Sequence, residues 1–172
     1  IANSVARVAD AVFAQDPSRI TMGVAWIGVL AYTLQIYFDF SGYSDMALGL
    51  GRMFGFQLIE NFNYPYTARS VRDFWRRWHM SLSFWFRDYV YVPLGGNRKG
   101  KLITVRNLLI VFFLTGLWHG AAWNFVFWGM FHGTFLLVER AWLGDRLRMM
   151  PALFSWIYTL LVVMIGWVFF RS

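Results

Sequence analysis

The side chains able to do acid–base chemistry near neutral pH are few: three histidines, His79, His119 and His132, in a chain without cysteine. The lack of cysteine removes disulfides, thiolate metal ligands and a thiol nucleophile, and leaves the redox compartment open. No H-E-x-x-H pair occurs, which argues against zinc, and no metal is expected. No G-x-S-x-G elbow occurs, so a hydrolase triad has no anchor. The stretch Pro93–Lys101 is Gly-rich and basic but has no G-x-x-x-x-G-K-[ST], so a nucleotide loop fails. Anionic headgroups or the phosphates of an acyl donor suit it better. What remains is an imidazole with no obvious nucleophile, and that suits direct acyl transfer. A neutral imidazole can take the proton of a substrate hydroxyl while the oxygen attacks a thioester carbonyl. A second histidine or an arginine could stabilise the oxyanion or orient the donor.

His119 is the leading candidate because of its setting. From Asn107 to Val138 there is no Lys, Arg, Asp or Glu, and Gly116-Leu117-Trp118-His119-Gly120 sits in the middle. A straight helix of about 32 residues would reach about 48 Å, against a hydrocarbon core about 30 Å thick. Two short helices meeting near His119-Gly120 fit better. An ionisable group in or beside an apolar layer is costly, so function is the default reading. The plain alternative is that a buried His119 beside Trp118 hydrogen-bonds a neighbouring helix. His79 falls beside an aromatic stripe, where a lone histidine is usually packed or headgroup-facing. His132, flanked by glycine and aromatics, reads as structural.

These groups must be positioned by membrane elements. Apolar residues make up 58% of the chain and charged ones 15%, outside the soluble range. Nine basic residues and two acids lie between Arg69 and Arg106, which accounts for the whole net charge of +7. Basic protein can mean nucleic acid, but this stretch lies between spanning candidates. The positive-inside rule therefore places 69–106 in the cytoplasm, with no nucleic-acid partner.

In chain order, Val5, Val8, Ala9, Val12 and Phe13 predict a short amphipathic helix, broken at Asp16-Pro17-Ser18. The spans predicted are about 20–38, 104–118, 121–138 and 151–170. Asp39 and Asp45 follow the first span and read either as a cap or ion pair, or as part of a substrate path. Asn61–Tyr66 is a turn-rich aromatic loop. Ser70 is placed to cap a helix with Asp73 at its third position. Phe74, Trp78, Leu82, Trp85 and Tyr89 make one stripe, predicting an amphipathic interfacial helix over about 70–90 with a basic face. There is no internal repeat. The chain begins at Ile1 and stops just after an apolar run, so a longer membrane protein is expected. The fold class is all-α: a polytopic helical membrane protein, with 1–172 as one membrane-embedded domain fragment.

The run Arg77-Trp78-His79-Met80-Ser81-Leu82-Ser83, continuing through Trp85, Arg87-Asp88-Tyr89 and Pro93-Leu94-Gly95-Gly96-Asn97, resembles the membrane-bound O-acyltransferase family. So do Gly116-Leu117-Trp118-His119-Gly120-Ala121 with Trp123, Phe125, Trp128-Gly129 and His132-Gly133, and Tyr37 through Ala47. The likeness is strongest to members that acetylate bacterial polysaccharides. It implies a multi-helix membrane fold around a tunnel, with the family's invariant histidine at His119 and its second motif histidine at His79. It implies an enzyme of the bacterial plasma (inner) membrane. An acetyl group would move from a cytoplasmic acyl thioester such as acetyl-CoA, with no bound cofactor, to hydroxyls of an exported polysaccharide such as alginate. A periplasmic or extracellular acceptor, protein or polysaccharide, is the further partner. Candidates for holding donor and substrate are Arg76, Arg77, Trp78, Trp118, Asn124, Asp39 and Asp45. Two competing readings are a D-alanyl transferase for teichoic acid and a non-enzymatic transporter with a polar track of Asp39, Asp45, His79 and His119.

Overall fold

A computed structural model describes residues 1–172 and is built of helices joined by turns and loops, with a single isolated bridge, Phe62 to Trp78, as its only β pairing. The chain divides into two compact units, Ile1–Glu60 and Asn61–Ser172.

The first unit is a helical hairpin. α1 (Ala2–Phe13) buries Ala9 and Val12, two of the five predicted apolar positions, while Val8 is exposed. Asp16 then accepts from the Ser18 N–H at 2.9 Å and opens a short turn of 3-10 helix. α2 (Met22–Met53) packs on α1 where Gly28 meets Val12: a Cβ at Gly28 would stand 2.5 Å from Val12 Cγ1. The helix that carries the span expected over 20–38 is longer than that span, because α2 does not stop at Phe38. Nothing between Phe38 and Met53 forces a break. The helix ends only at Gly55, whose φ of 79° lets Phe56 N–H reach the Gly51 carbonyl at 2.8 Å and Gly55 N–H the Arg52 carbonyl at 3.1 Å. Asp39 and Asp45 therefore lie in a helix interior, exposed, and neither is a cap.

The second unit holds the other elements. α5 (Lys101–His119) and α6 (Trp123–Val138) form the hairpin expected around His119-Gly120. Glycines allow their close approach. A Cβ at Gly116 would lie 2.5 Å from the Phe125 carbonyl oxygen, and one at Gly129 would collide with the Phe112 carbonyl. α7 (Gly144–Met149) and α8 (Ala152–Arg171) follow a π-helical turn over Glu139–Leu143. α8 buries Ser155, Thr159, Val163, Gly166 and Trp167 and exposes Leu153, Ile157, Leu161, Ile165 and Phe169 at four-residue steps, an apolar face suited to lipid. α2, α5 and α8 are each long and apolar enough to cross a membrane.

The single interfacial helix predicted over 70–90 is replaced by two short ones. α3 (Val71–Trp75) and α4 (Met80–Phe86) are separated by Arg76–His79, and a π-helical turn over Arg87–Tyr91 follows. Ser70 caps α3 as expected, accepting from the Asp73 N–H at 3.0 Å. The reason for the break is tertiary. Phe74 and Trp78 are 1% and 4% exposed. They stack on each other at 5.5 Å, and Trp78 meets Trp167 at 4.9 Å. Trp85 and Tyr89 remain exposed, so the stripe has no common face. Burying large aromatics outweighs the modest cost of interrupting one helix.

Candidate active site

His79 is held in an unusual backbone state. Its φ and ψ are 45° and 55°, the left-handed region, where a residue with a side chain is uncommon. The strand-like pairing beside it explains why the chain accepts this. Asn63 N–H donates to the Arg77 carbonyl at 3.0 Å, and Met80 N–H to the Asn61 carbonyl at 3.1 Å. The Asn61 side chain completes the clamp. Its Oδ1 accepts from Ser81 N–H at 3.2 Å and from Ser81 Oγ at 2.6 Å, and it faces His79 Nδ1 at 3.3 Å. A backbone N–H can only donate, so the atom between Ser81 and His79 is the amide oxygen. His79 Nδ1 therefore carries the proton and Nε2 the lone pair. Burial pushes the His79 imidazole down to about 4, so it is neutral at pH 7.

His119 is the last residue of α5. Its ring lies 5.0 Å from those of Trp128 and Phe170 and 4.9 Å from Trp118. Gly120 directly after it leaves room for Phe125, whose ring a Cβ would meet at 2.6 Å. His79 and His119 line one cavity of about 450 Å³ together with Val111, Phe112 and Thr115. Arg72, Arg76, Arg87 and Arg140 also line it, and no carboxylate does. Trp118 stands beside both imidazoles, 6.0 Å from His79. A second cavity of about 430 Å³ shares Arg72, Arg76 and Arg140 and adds Arg69 and Arg148.

The other candidates separate. Arg76 and Trp78 line the histidine cavity. Arg77 instead pairs with Asp73 at 2.9 Å and reaches the Asn63 carbonyl. Asn124 donates to the Phe170 carbonyl at 3.4 Å and so ties α6 to α8. Asp39 and Asp45 belong to the first unit. His132 is fully buried, packed at 5.0 Å from Trp75 and 5.4 Å from Trp128, with no hydrogen-bond partner for either ring nitrogen.

Three polar residues that shape the site carry no motif signal. Asn61 is one. Asn107, fully buried, donates to the Leu94 and Gly96 carbonyls at 3.2 and 3.0 Å and pins the glycine turn onto α5. Glu139 follows α6 and accepts from the N–H groups of Val71 and Arg72 at 2.6 and 3.0 Å, fastening the start of α3. Burial raises the Glu139 carboxyl, and those two N–H groups oppose the shift. A carboxylate inside an apolar protein needs partners, so Glu139 was findable as a question but not as an answer: its partners lie 67 and 68 positions away.

The model of the membrane-bound O-acyltransferase family matches residues 7–170, and the chain belongs to that family. Over its whole length it is 55% identical to a protein of Azotobacter vinelandii named "Probable alginate O-acetylase", of which it covers 34%. It is 46% identical to the peptidoglycan O-acetyltransferase of Helicobacter pylori, again over the whole chain and 33% of that protein. The teichoic acid D-alanyltransferase of Streptococcus thermophilus is 38% identical over 73% of the chain. The chain thus spans about a third of the length of these relatives. The chain is all-α and, with three helices able to cross a membrane, belongs to a multi-pass membrane protein.

Proposed function

We propose that this chain forms the acyl-transfer centre of a membrane O-acetyltransferase acting on hydroxyls of an exported polysaccharide. The observation that carries the reading is the convergence of His79 and His119 on one cavity ringed by arginines and free of carboxylates. In this mechanism His119, in its neutral form, takes the proton of the acceptor hydroxyl as the oxygen attacks the thioester carbonyl. The tetrahedral intermediate collapses, the thiolate leaves, and the imidazolium returns the proton to it. His79 offers a lone pair at Nε2, which suits holding an N–H or O–H of a substrate rather than polarising the carbonyl. The arginines suit a phosphate-bearing thioester such as acetyl-CoA. A polymer acceptor of the alginate kind is favoured over teichoic acid because the likeness to the acetylating relatives covers the whole chain.

In the full-length protein, His119→Ala should accumulate normally in the membrane yet lose about two to four orders of magnitude in acetyl transfer. His119→Gln should be no better, since an amide can hydrogen-bond but cannot act as a base at neutral pH. Near-normal turnover by His119→Gln would make the residue structural.

The same reading puts the protein in the bacterial inner membrane with 69–106 on the cytoplasmic side, supported by the basic excess there. A single cysteine at Lys99 should be shielded from an impermeant thiol reagent in intact cells. Ready labelling from outside would reverse the topology.

A further inference from the structure

Asn61 has no place in the motifs, yet it is the residue through which His79 acquires both its orientation and its tautomer. The amide oxygen is the common acceptor for Ser81 N–H, Ser81 Oγ and His79 Nδ1, and the Asn61 carbonyl takes Met80 N–H. These bonds surround a histidine whose left-handed backbone is itself disfavoured. Such a conformation persists only where the surroundings over-determine it, and it clusters at functional sites. A packed, idle histidine would need neither a fixed tautomer nor a strained backbone.

We propose that Asn61 is a positioning residue for His79: it fixes the Nδ1–H tautomer, so that Nε2 is a permanent hydrogen-bond acceptor for an N–H or O–H of the substrate. The inference rests on the reading of the histidine cavity as the acyl-transfer site. The chemistry it selects is specific. An acceptor at Nε2 grips an amide N–H, as found along the arm of a pantetheine thioester, or the hydroxyl that will be acylated. It repels a carbonyl oxygen or an oxyanion.

The surroundings make the idea testable by charge. The titratable and charged groups around the same cavity are His119 from α5, Arg72 and Arg76 at α3, Arg87 and Tyr91 after α4, and Arg140 after α6. None of these is a carboxylate, and Asn61→Asp would put one directly against His79 Nδ1. The aspartate keeps the acceptor oxygens and is nearly isosteric. As an anion next to Nδ1–H it favours the imidazolium and would raise the pKa of His79. Protonated at Nε2, His79 becomes a donor and loses its proposed role.

The test uses the full-length protein in membrane vesicles, with labelled acetyl-CoA as donor and the membrane-associated polysaccharide as acceptor. Asn61→Asp should transfer acetyl at least tenfold more slowly than wild type at pH 6. It should recover to within about threefold at pH 8.5, an alkaline dependence the wild type lacks. Adding His79→Gln to Asn61→Asp should abolish that dependence. Asn61→Ala should lose tenfold or more at both pH values, and if it fails to accumulate, Asn61→Asp alone decides. A wild-type pH profile in Asn61→Asp, or one that persists without His79, would overturn the inference. His119→Ala in the same vesicles separates the two failures. If it is inactive while Asn61→Asp behaves as wild type, only the role of Asn61 falls. If it is active, or if wild type itself transfers no label, the reading of the site falls.

Discussion

The two histidines of the cavity reach it by contrasting routes. His119 stands at the end of a regular helix, in a hairpin whose two arms are adjacent in sequence and meet through Gly116 and Gly129. His79 stands where no regular element survives, between two helices of five and seven residues, with its side chain oriented by a residue eighteen positions earlier. One imidazole is placed by local helix geometry and the other by tertiary hydrogen bonds. The first kind of placement is robust to change in side chains nearby. The second depends on individual polar atoms, so single substitutions around His79 should tune the site where those around His119 either matter little or destroy it.

The same contrast decides what the sequence disclosed. The α5–α6 hairpin is legible because an uncharged run too long for one span must turn, and Gly120 stands where it turns. The Ser70 cap is legible because an N-cap hydroxyl and the amide it satisfies are three residues apart. The single helix expected over 70–90 is wrong because the three- and four-residue steps of Phe74, Trp78, Leu82, Trp85 and Tyr89 fit a helix that the aromatic cluster does not allow. Only Phe74 and Trp78 of these find the buried cluster with Trp167. Asn61, Asn107 and Glu139 stayed hidden for one reason: each acts on backbone groups brought near by folding. The helix carrying the first span runs on past Phe38 because Asp39 and Asp45 are exposed on it, and an exposed carboxylate does not end a helix.

The largest loss is expected at His119, where removing the base should cost about two to four orders of magnitude in acetyl transfer. A smaller effect separates the neighbours Arg76 and Arg77. Arg76 lines both cavities and sits in the segment that turns into His79. Arg77 is held by Asp73 and the Asn63 carbonyl. Arg76→Ala should raise the apparent KM for acetyl-CoA about tenfold with kcat nearly unchanged, the signature of binding common to ground and transition states. Arg77→Ala removes a part-exposed ion pair, worth about 0–1 kcal/mol, and should move KM by about threefold at most. Steady-state kinetics of both variants would decide, and a larger effect at Arg77 would mean that the cavity is not where the donor phosphates lie.

The smallest expected effect concerns the stability attached to His79 itself. Burial holds its imidazole at about 4, against an ordinary value of 6.5. A folded-state value below the unfolded one means that the unfolded chain takes up a proton first as the pH falls. The contribution is therefore fully present above about 6.5 and is lost progressively as the pH drops toward 4. His79 is partly open to solvent, so after screening the amount at stake is about 1 kcal/mol rather than the full shift. For a domain of this size that corresponds to about 2–4 °C in Tm. Thermal unfolding of the detergent-solubilised protein at pH 7.5 and pH 4.5 should show wild type losing that much more than His79→Gln, which has no proton to take up. Parallel losses in the two proteins would mean that His79 titrates alike folded and unfolded. His79 would then be open to water, and the buried, neutral imidazole on which its acceptor role depends would not exist.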